Sequence, residues 1–282
     1  MRRLHVAWLP DGKRLHLKNG PVNVIIQAFG RPSEIGRAYD AGIERARALV
    51  IELADDVPLL QAGLTPYGPA ARRAVAACAA VPGALAPVTA LRGAMADEIL
   101  VAMAQAGALD RAFANNLGAV AVHLAEGQTI TPSAFDWPDY PRYASKVPIT
   151  STARTRGVAA AGWCFDAYAL GCVDRIHIAA PSSAMAEAAL GAIAAPMVPA
   201  DGAETVPATT LVPESLLDGL GVYPPRTMSQ EEAAETLARG GAVAGALFAA
   251  GIVTLALLRV GEEHFLAAPP PFSLRAQPSL EI

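Results

Sequence analysis

The chain has 282 residues, 53% hydrophobic and 17% charged, which is enough apolar material to bury a core as one large or two modest domains and too much for a disordered chain. Against 26 Asp and Glu stand 22 Lys and Arg, a formal charge of −4, and no long basic run, so the electrostatic footprint of a nucleic-acid binder is missing. Cys78, Cys164 and Cys172 form no CxxC pair and fit neither a zinc knuckle nor a disulfide framework; buried thiols are expected.

The first residues, Met1 to Asp11, carry two arginines but reach Pro10-Asp11-Gly12 before an apolar signal core can form, and a cytoplasmic location is expected. Strand-like runs at Leu4 to Trp8, Arg14 to Lys18 and Val22 to Phe29 are separated by the turn signals Pro10-Asp11-Gly12 and Asn19-Gly20-Pro21, which predicts an antiparallel meander. Pro32-Ser33-Glu34 opens a long helical pattern through Tyr39, Ile43, Ala46, Val50 and Leu53, placed across that meander. Helices are expected at Pro69 to Ala80 and Leu91 to Ala106, and strands at Ala112 to Asn115 and Ala119 to Leu124. Phe135 to Tyr143, with Trp137, Tyr140 and Tyr143 among prolines, is an aromatic loop that serves either as a lid or as a packed connection.

The stretch from Pro148 to Ala194 carries the densest chemistry. A turn rich in hydroxyls and guanidinium groups, Thr150-Ser151-Thr152-Ala153-Arg154-Thr155-Arg156, precedes a buried strand around Asp174-Arg175-Ile176-His177-Ile178 and a small-residue helix behind a Pro181-Ser182-Ser183 cap. Residues 196–228 form a Pro-rich connection, 229–268 a C-terminal helix and strand unit packing on a 1–195 core, and 269–282 a tail. Gly240 to Val260 is apolar for about a membrane span, but the capping box Ser229-Gln230-Glu231-Glu232 before it favours a helix ending near Gly251 and a strand from Ile252 to Val260.

Several residues are candidates for a site. Arg154 and Arg156 beside Thr150, Ser151 and Thr152 supply directed donors for a phosphate or carboxylate, or else form an exposed polar turn. His123 and His177 lie in strands; if those strands are neighbours the two imidazoles converge as acid and base or as metal ligands, and otherwise they are sheet histidines with ordinary partners. Asp174 is either a turn carboxylate or a general base, Asp97 either binds a ligand hydroxyl or favours a helix N-terminus, and Asn115-Asn116 offers amides to the edge of a heterocycle or makes a turn. No Ser/His/Asp triad, phosphate-loop lysine motif or His-Glu-x-x-His helix is present.

Taken in order, Arg92-Gly93-Ala94-Met95-Ala96-Asp97, Asn115-Asn116-Leu117-Gly118-Ala119, Ile149-Thr150-Ser151-Thr152, Leu170-Gly171-Cys172-Val173-Asp174-Arg175 and Ser182 to Ala194 resemble the uncharacterised ApbE-like family, relatives of the flavin transferases that attach FMN to proteins. The resemblance implies a T-fold-like α/β arrangement of α+β type, an antiparallel sheet layered with helices, and a cleft for a flat anionic heterocycle, either flavin or pterin. It places Arg92, Asp97 and Asn116 in the cofactor site and Glu187 at the acidic, metal-holding position, while Ala119 and Gly191 stand where oxygen ligands for magnesium are expected, which weighs against a magnesium requirement. By the same resemblance the function is cofactor metabolism, FMN transfer or a step linked to the one-carbon carrier tetrahydromethanopterin; the contrasting expectation is a flavin- or pterin-binding protein without catalysis. The partner expected is a small molecule, with neither nucleic acid nor membrane and with self-association left open; an exposed apolar surface on 196–282 would instead point to a subunit of a larger assembly.

Overall fold

A computed structural model describes residues 4–131, 148–162, 172–198, 206–207, 221–222 and 227–269. The opening meander forms where the turn signals place it: β1 (His5–Trp8), β2 (Leu15–Asn19) and β3 (Val22–Gly30) run antiparallel, with Val6 opposite Leu17 and Leu15 opposite Ile26. Alternation sorts their side chains, so that Leu15, Leu17, Val22, Val24 and Ile26 are buried on one face while His16, Asn23, Ile25 and Gln27 stay half-buried on the other.

Pro32, pre-set for a first helical position, opens α1 (Pro32–Gln61), which runs two turns beyond Leu53 because Asp56 and Leu60 continue its inward stripe of Ala38, Tyr39, Gly42, Ala46 and Leu49. α2 (Pro69–Ala80) and a 3-10 turn (Pro87–Ala90) lead into α3 (Leu91–Ala106). α3 is buried on nearly every side, from Gly93 through Leu100, because it touches α1, α2, the following strands and the next helix at once.

The chain returns to the sheet in β4 (Leu109–Asn116) and β5 (Ala119–Leu124), adds a small ribbon of β6 (Thr129–Ile130) with β7 (Ile149–Thr150), and then forms β8 (Gly157–Ala161) and β9 (Arg175–Ala180). β8 was absent from the sequence expectations: Gly157-Val158-Ala159-Ala160-Ala161 has little intrinsic β preference, and its place between β5 and β9 makes it a strand. α4 (Ser183–Ala194) starts at its Ser182 cap, β10 (Val206–Pro207) pairs with β11 (Gly221–Val222), and α5 (Gln230–Ala249) begins at the complete Ser229–Glu232 capping box. β12 (Leu255–Val260) and β13 (Glu263–Ala267) end the described fold, so the apolar window from Gly240 is split between a helix and a strand. Among the described residues no helix is long and apolar enough to cross a membrane.

Nine strands make one antiparallel sheet in the order β1-β2-β3-β4-β5-β8-β9-β12-β13, and with five α-helices among the described residues the fold is mixed α+β. Two strand pairs flank α1–α3 (β2-β3 and β4-β5) and two more flank α4 and α5 (β8-β9 and β12-β13), so the sheet repeats one plan twice. The helix-facing side holds the large core, including Ile176, Ile178, Ala256 and Leu258, whereas Val120, Val122, Leu124, Ile149, Val158, Ala179, Leu255 and Leu257 form a separate cluster on the opposite side. The aromatic loop at Phe135 to Tyr143, Cys164, most of the 196–228 connection and the tail lie outside the described residues.

The β4–β5 hairpin turns through Leu117 and Gly118 with φ of 50° and 91°. Two positive φ values match the right-handed twist of a tight hairpin, but leucine is strained there and this one is exposed. Leu117→Asn is expected to raise stability by about 1 kcal/mol, read as a higher urea midpoint with an unchanged slope. A lower midpoint would mean that the leucine side chain stabilises the hairpin more than its backbone strain costs.

Candidate functional site

The N-terminal ends of α3 and α4 meet so closely that a Cβ on Gly93 would run into the Ser183 carbonyl, and one on Gly157 of β8 would strike the Ser182–Ser183 peptide. Bare helix ends packed this tightly need acceptors for their unpaired N–H groups. Each helix supplies the other's. Asp97 of α3 accepts from the Ser183 and Ala184 N–H groups at 3.0 Å each, while Ser182 Oγ takes the Met185 N–H at 3.2 Å. In return Glu187 of α4 accepts from the Gly93 N–H at 2.6 Å and from Arg92 Nε at 2.7 Å. Arg92 Nη1 reaches the Leu117 carbonyl at 3.4 Å, and Asn116 Nδ2 donates to the Arg92 carbonyl at 3.3 Å.

Arg92, Asp97, Asn116 and Glu187, scattered over 96 positions of chain, therefore share one buried junction. Burial lifts the Asp97 carboxyl to about 6 against the pull of the Ala184 and Ser183 N–H groups. Glu187 is fully enclosed; its burial outweighs the attraction of Arg92 and the Gly93 N–H and leaves its carboxyl above the usual range. Asn116 Oδ1 and Ser183 Oγ are buried, with no hydrogen-bond partner among the described residues. No group of three or more His, Cys, Asp or Glu side chains among the described residues is placed to hold a metal ion, so Glu187, expected as a metal ligand, stands here with an arginine and a backbone N–H.

The other sequence candidates lie elsewhere. Arg156 closes its own turn, donating to the carbonyls of Ala153 at 2.8 Å, Thr155 at 2.6 Å and Ser151 at 2.7 Å. Ser151 Oγ accepts from the Gly127 N–H at 3.0 Å, whereas Thr150, Thr152 and Arg154 are exposed, with 3.1 Å between the two threonine hydroxyls. Asp174 accepts from the Gly261 N–H in the β12–β13 turn at 2.7 Å. The strands that carry His123 and His177 are separated by β8, and the two histidines stand on opposite faces of the sheet, since His123 alternates with Val122 and His177 shares the side of Ala179. Convergence of the imidazoles is thereby corrected. Burial first, and Arg175 beside it second, press the His177 ring down to about 3, so it is neutral at ordinary pH.

Alternation also divides the twin asparagines. Asn116 points into the helix layer, and Asn115 to the other side, where its Oδ1 accepts from the Gly118 N–H at 2.9 Å. On that helix-free side Phe113 is half-buried, with Arg111 and Asn115 two residues before and after it and Gln27 directly across on β3. Arg111 lies 4.5 Å over the Phe29 ring and donates to the Thr129 carbonyl at 3.2 Å, and its buried Nε has no partner among the described residues. Gln27, Phe29, Arg111 and Phe113 were missed from sequence. The available signal was that Asn23, Gln27 and Phe29 of β3, and likewise Arg111, Phe113 and Asn115 of β4, fall on alternating positions, opposite in phase to the buried aliphatic residues beside them.

A family model described as AbpE bacteria matches residues 6–266. The chain belongs to that family. No curated protein matches it. The AbpE family is a different one from the ApbE-like flavin transferases, and the likeness drawn from the short motifs is corrected accordingly. Those motifs have a packing cause in this AbpE chain: Gly93 is small because of Ser183, Asp97 caps α4, and Glu187 pairs with Arg92. The expected link to tetrahydromethanopterin rested on the overturned likeness and goes no further.

Two measurements probe the junction. Because Asp97 ionises near 6 in the fold and near 3.8 when unfolded, its share of stability is complete below pH 3.8 and is lost as pH rises through 6, a fall of roughly 3 kcal/mol over that window. Urea midpoints should decline between pH 4 and 6 in the wild type and decline less in Asp97→Asn; parallel profiles would refute the assignment. Arg92→Ala strands a buried carboxylate and should cost about 3 kcal/mol, with the Arg92→Ala/Glu187→Ala pair costing at least 1 kcal/mol less than the sum of the singles.

Proposed function

We propose that this chain binds a flat, anionic heterocycle of flavin or pterin type on the helix-free face of β2 to β5, and does so without catalysing a reaction. The observation that carries the reading is Phe113, a half-buried ring set among the Gln27 amide, the Asn115 amide and the Arg111 guanidinium on one sheet surface. A ring offers a stacking plane, amides match the alternating donors and acceptors at a heterocycle's edge, and a guanidinium pairs with an anionic substituent. Among the described residues Asn115 uses its Oδ1 within the hairpin and keeps its NH₂ group to donate.

Support for the non-catalytic side comes from the acid–base candidates. His123 and His177 stand on opposite faces, His177 is held neutral, and the Asp174 carboxylate is engaged by the Gly261 N–H. The finer description of the fold as T-fold-like belongs to the same proposal. It is supported by the twice-repeated plan of two strands, helices and two strands within one antiparallel sheet, a broad surface suited to planar ligands.

When FMN and pterin-6-carboxylate are titrated into the protein and followed by ligand fluorescence, at least one of the two should bind saturably. Phe113→Ala should weaken it by roughly 10-fold and Arg111→Gln by a similar factor, with thermal melts near the wild type. Incubation with FAD and magnesium should release no FMN. Absence of binding for both ligands, or affinity indifferent to Phe113 and Arg111, would remove this face from consideration, and release of FMN would replace binding with transfer.

A further inference from the structure

Where α1 passes into α2 the chain builds a second feature that owes nothing to the sheet face. A cavity of about 230 Å³ is lined by Leu60, Leu64, Pro66, Val75 and Pro87, together with Arg72 as the one charged side chain among the described lining residues. The loop over it is held rigid from below: Asp56, 1% exposed, accepts from the Tyr67 N–H at 2.7 Å and the Gly68 N–H at 2.8 Å, which closes the N-terminus of α2 at the same time. The cavity is therefore preformed and needs no ordering step before something enters it.

Its size and surroundings select the occupant. At about 230 Å³ it falls below the range of roughly 300–1,000 Å³ that encloses a drug-sized ligand, and it suits a single bulky side chain. Its lining is itself exposed at Leu64, 57%, and Val75, 36%, and Tyr67, 77% exposed in the same loop, extends the apolar area beyond what one side chain covers. Charge then decides between partners. The exposed Arg72 guanidinium has no ion pair or side-chain hydrogen bond with any described residue, so an acidic neighbour is favoured. A two-fold contact with a second copy centred here would set Arg72 against its own counterpart, which argues against self-association through this patch.

We infer that the α1–α2 corner is a docking site for an acidic segment of another protein, which inserts one aromatic or aliphatic side chain between Leu60, Leu64 and Val75 and pairs a carboxylate with Arg72. A small anchor pocket within a wider apolar rim is the arrangement in which one buried residue contributes most of the affinity.

The test uses the full chain with labelled leucine and valine methyl groups and three Gly/Ser dodecapeptides, carrying phenylalanine followed by two aspartates, phenylalanine followed by two lysines, or glycine followed by two aspartates. The first should shift the Leu64 and Val75 methyl signals and bind roughly 10-fold more tightly than either of the others. Arg72→Glu should transfer that preference to the lysine peptide, and Val75→Asp should abolish binding; both positions are exposed, so folding is preserved and is checked by circular dichroism. No methyl shift at millimolar peptide, a preference untouched by Arg72→Glu, or a concentration-dependent dimer of the peptide-free chain that Val75→Asp dissolves would each overturn the inference.

Discussion

Two helices that cap one another hold this structure together. Asp97 of α3 satisfies the first N–H groups of α4, and Glu187 of α4 satisfies the first turn of α3, so neither end closes unless both helices are in place. Such a junction forces small residues wherever backbone meets backbone. Gly93, Gly157, Ser183 and Ala184 occupy the contact, and the strands beneath are correspondingly alanine-rich at 159–161. Much of the hydrophobic content of the chain is alanine for this reason: it lets elements approach, where larger residues would hold them apart.

The same solution recurs through the helix layer. Asp56 closes α2, Asp97 closes α4, Glu187 serves α3, and α5 begins with its own Ser229 and Glu232. Glu98 adds a second buried acid on α3, gripping Arg73 of α2 at 2.6 Å and Arg45 of α1 at 3.2 Å, while Arg45 also clamps Glu52. These carboxylates are committed to N–H groups and guanidinium groups of the same layer, which assigns them to assembly of the helices. The sheet face and the α1–α2 corner proposed as binding surfaces both lie away from these committed carboxylates.

A nine-stranded antiparallel sheet gives the two sides different fates. Helices cover one, and the core beneath them runs unbroken from Leu15 to Val260. On the other, the β8, β9 and β12 residues are deeply buried while those of β2, β3 and β4 are only half so, and the second group mixes aromatic rings, amides and guanidinium. Because alternation has a period of two, neighbours in sequence fall on opposite sides of the sheet, as Asn115 and Asn116 do.

Local chemistry alone determined much of the layout. The boundaries of α2 and α3, the opening meander, the Ser182 cap and the Ser229–Glu232 box follow from proline, glycine, hydroxyl and acid placed at element ends, and these act over a few residues. Tertiary structure decided the rest. Gly157–Ala161 became a strand only because β5 and β9 flank it, Arg92 found Glu187 across 95 positions, and Asp97 capped a helix that begins 86 residues later. A short motif such as Arg92-Gly93-Ala94-Met95-Ala96-Asp97 is compatible with a ligand site and with a helix junction alike, because glycine and aspartate serve close approach and N–H capture in both. Only the position of the second helix, set by packing over the whole sheet, determines which of these the residues perform.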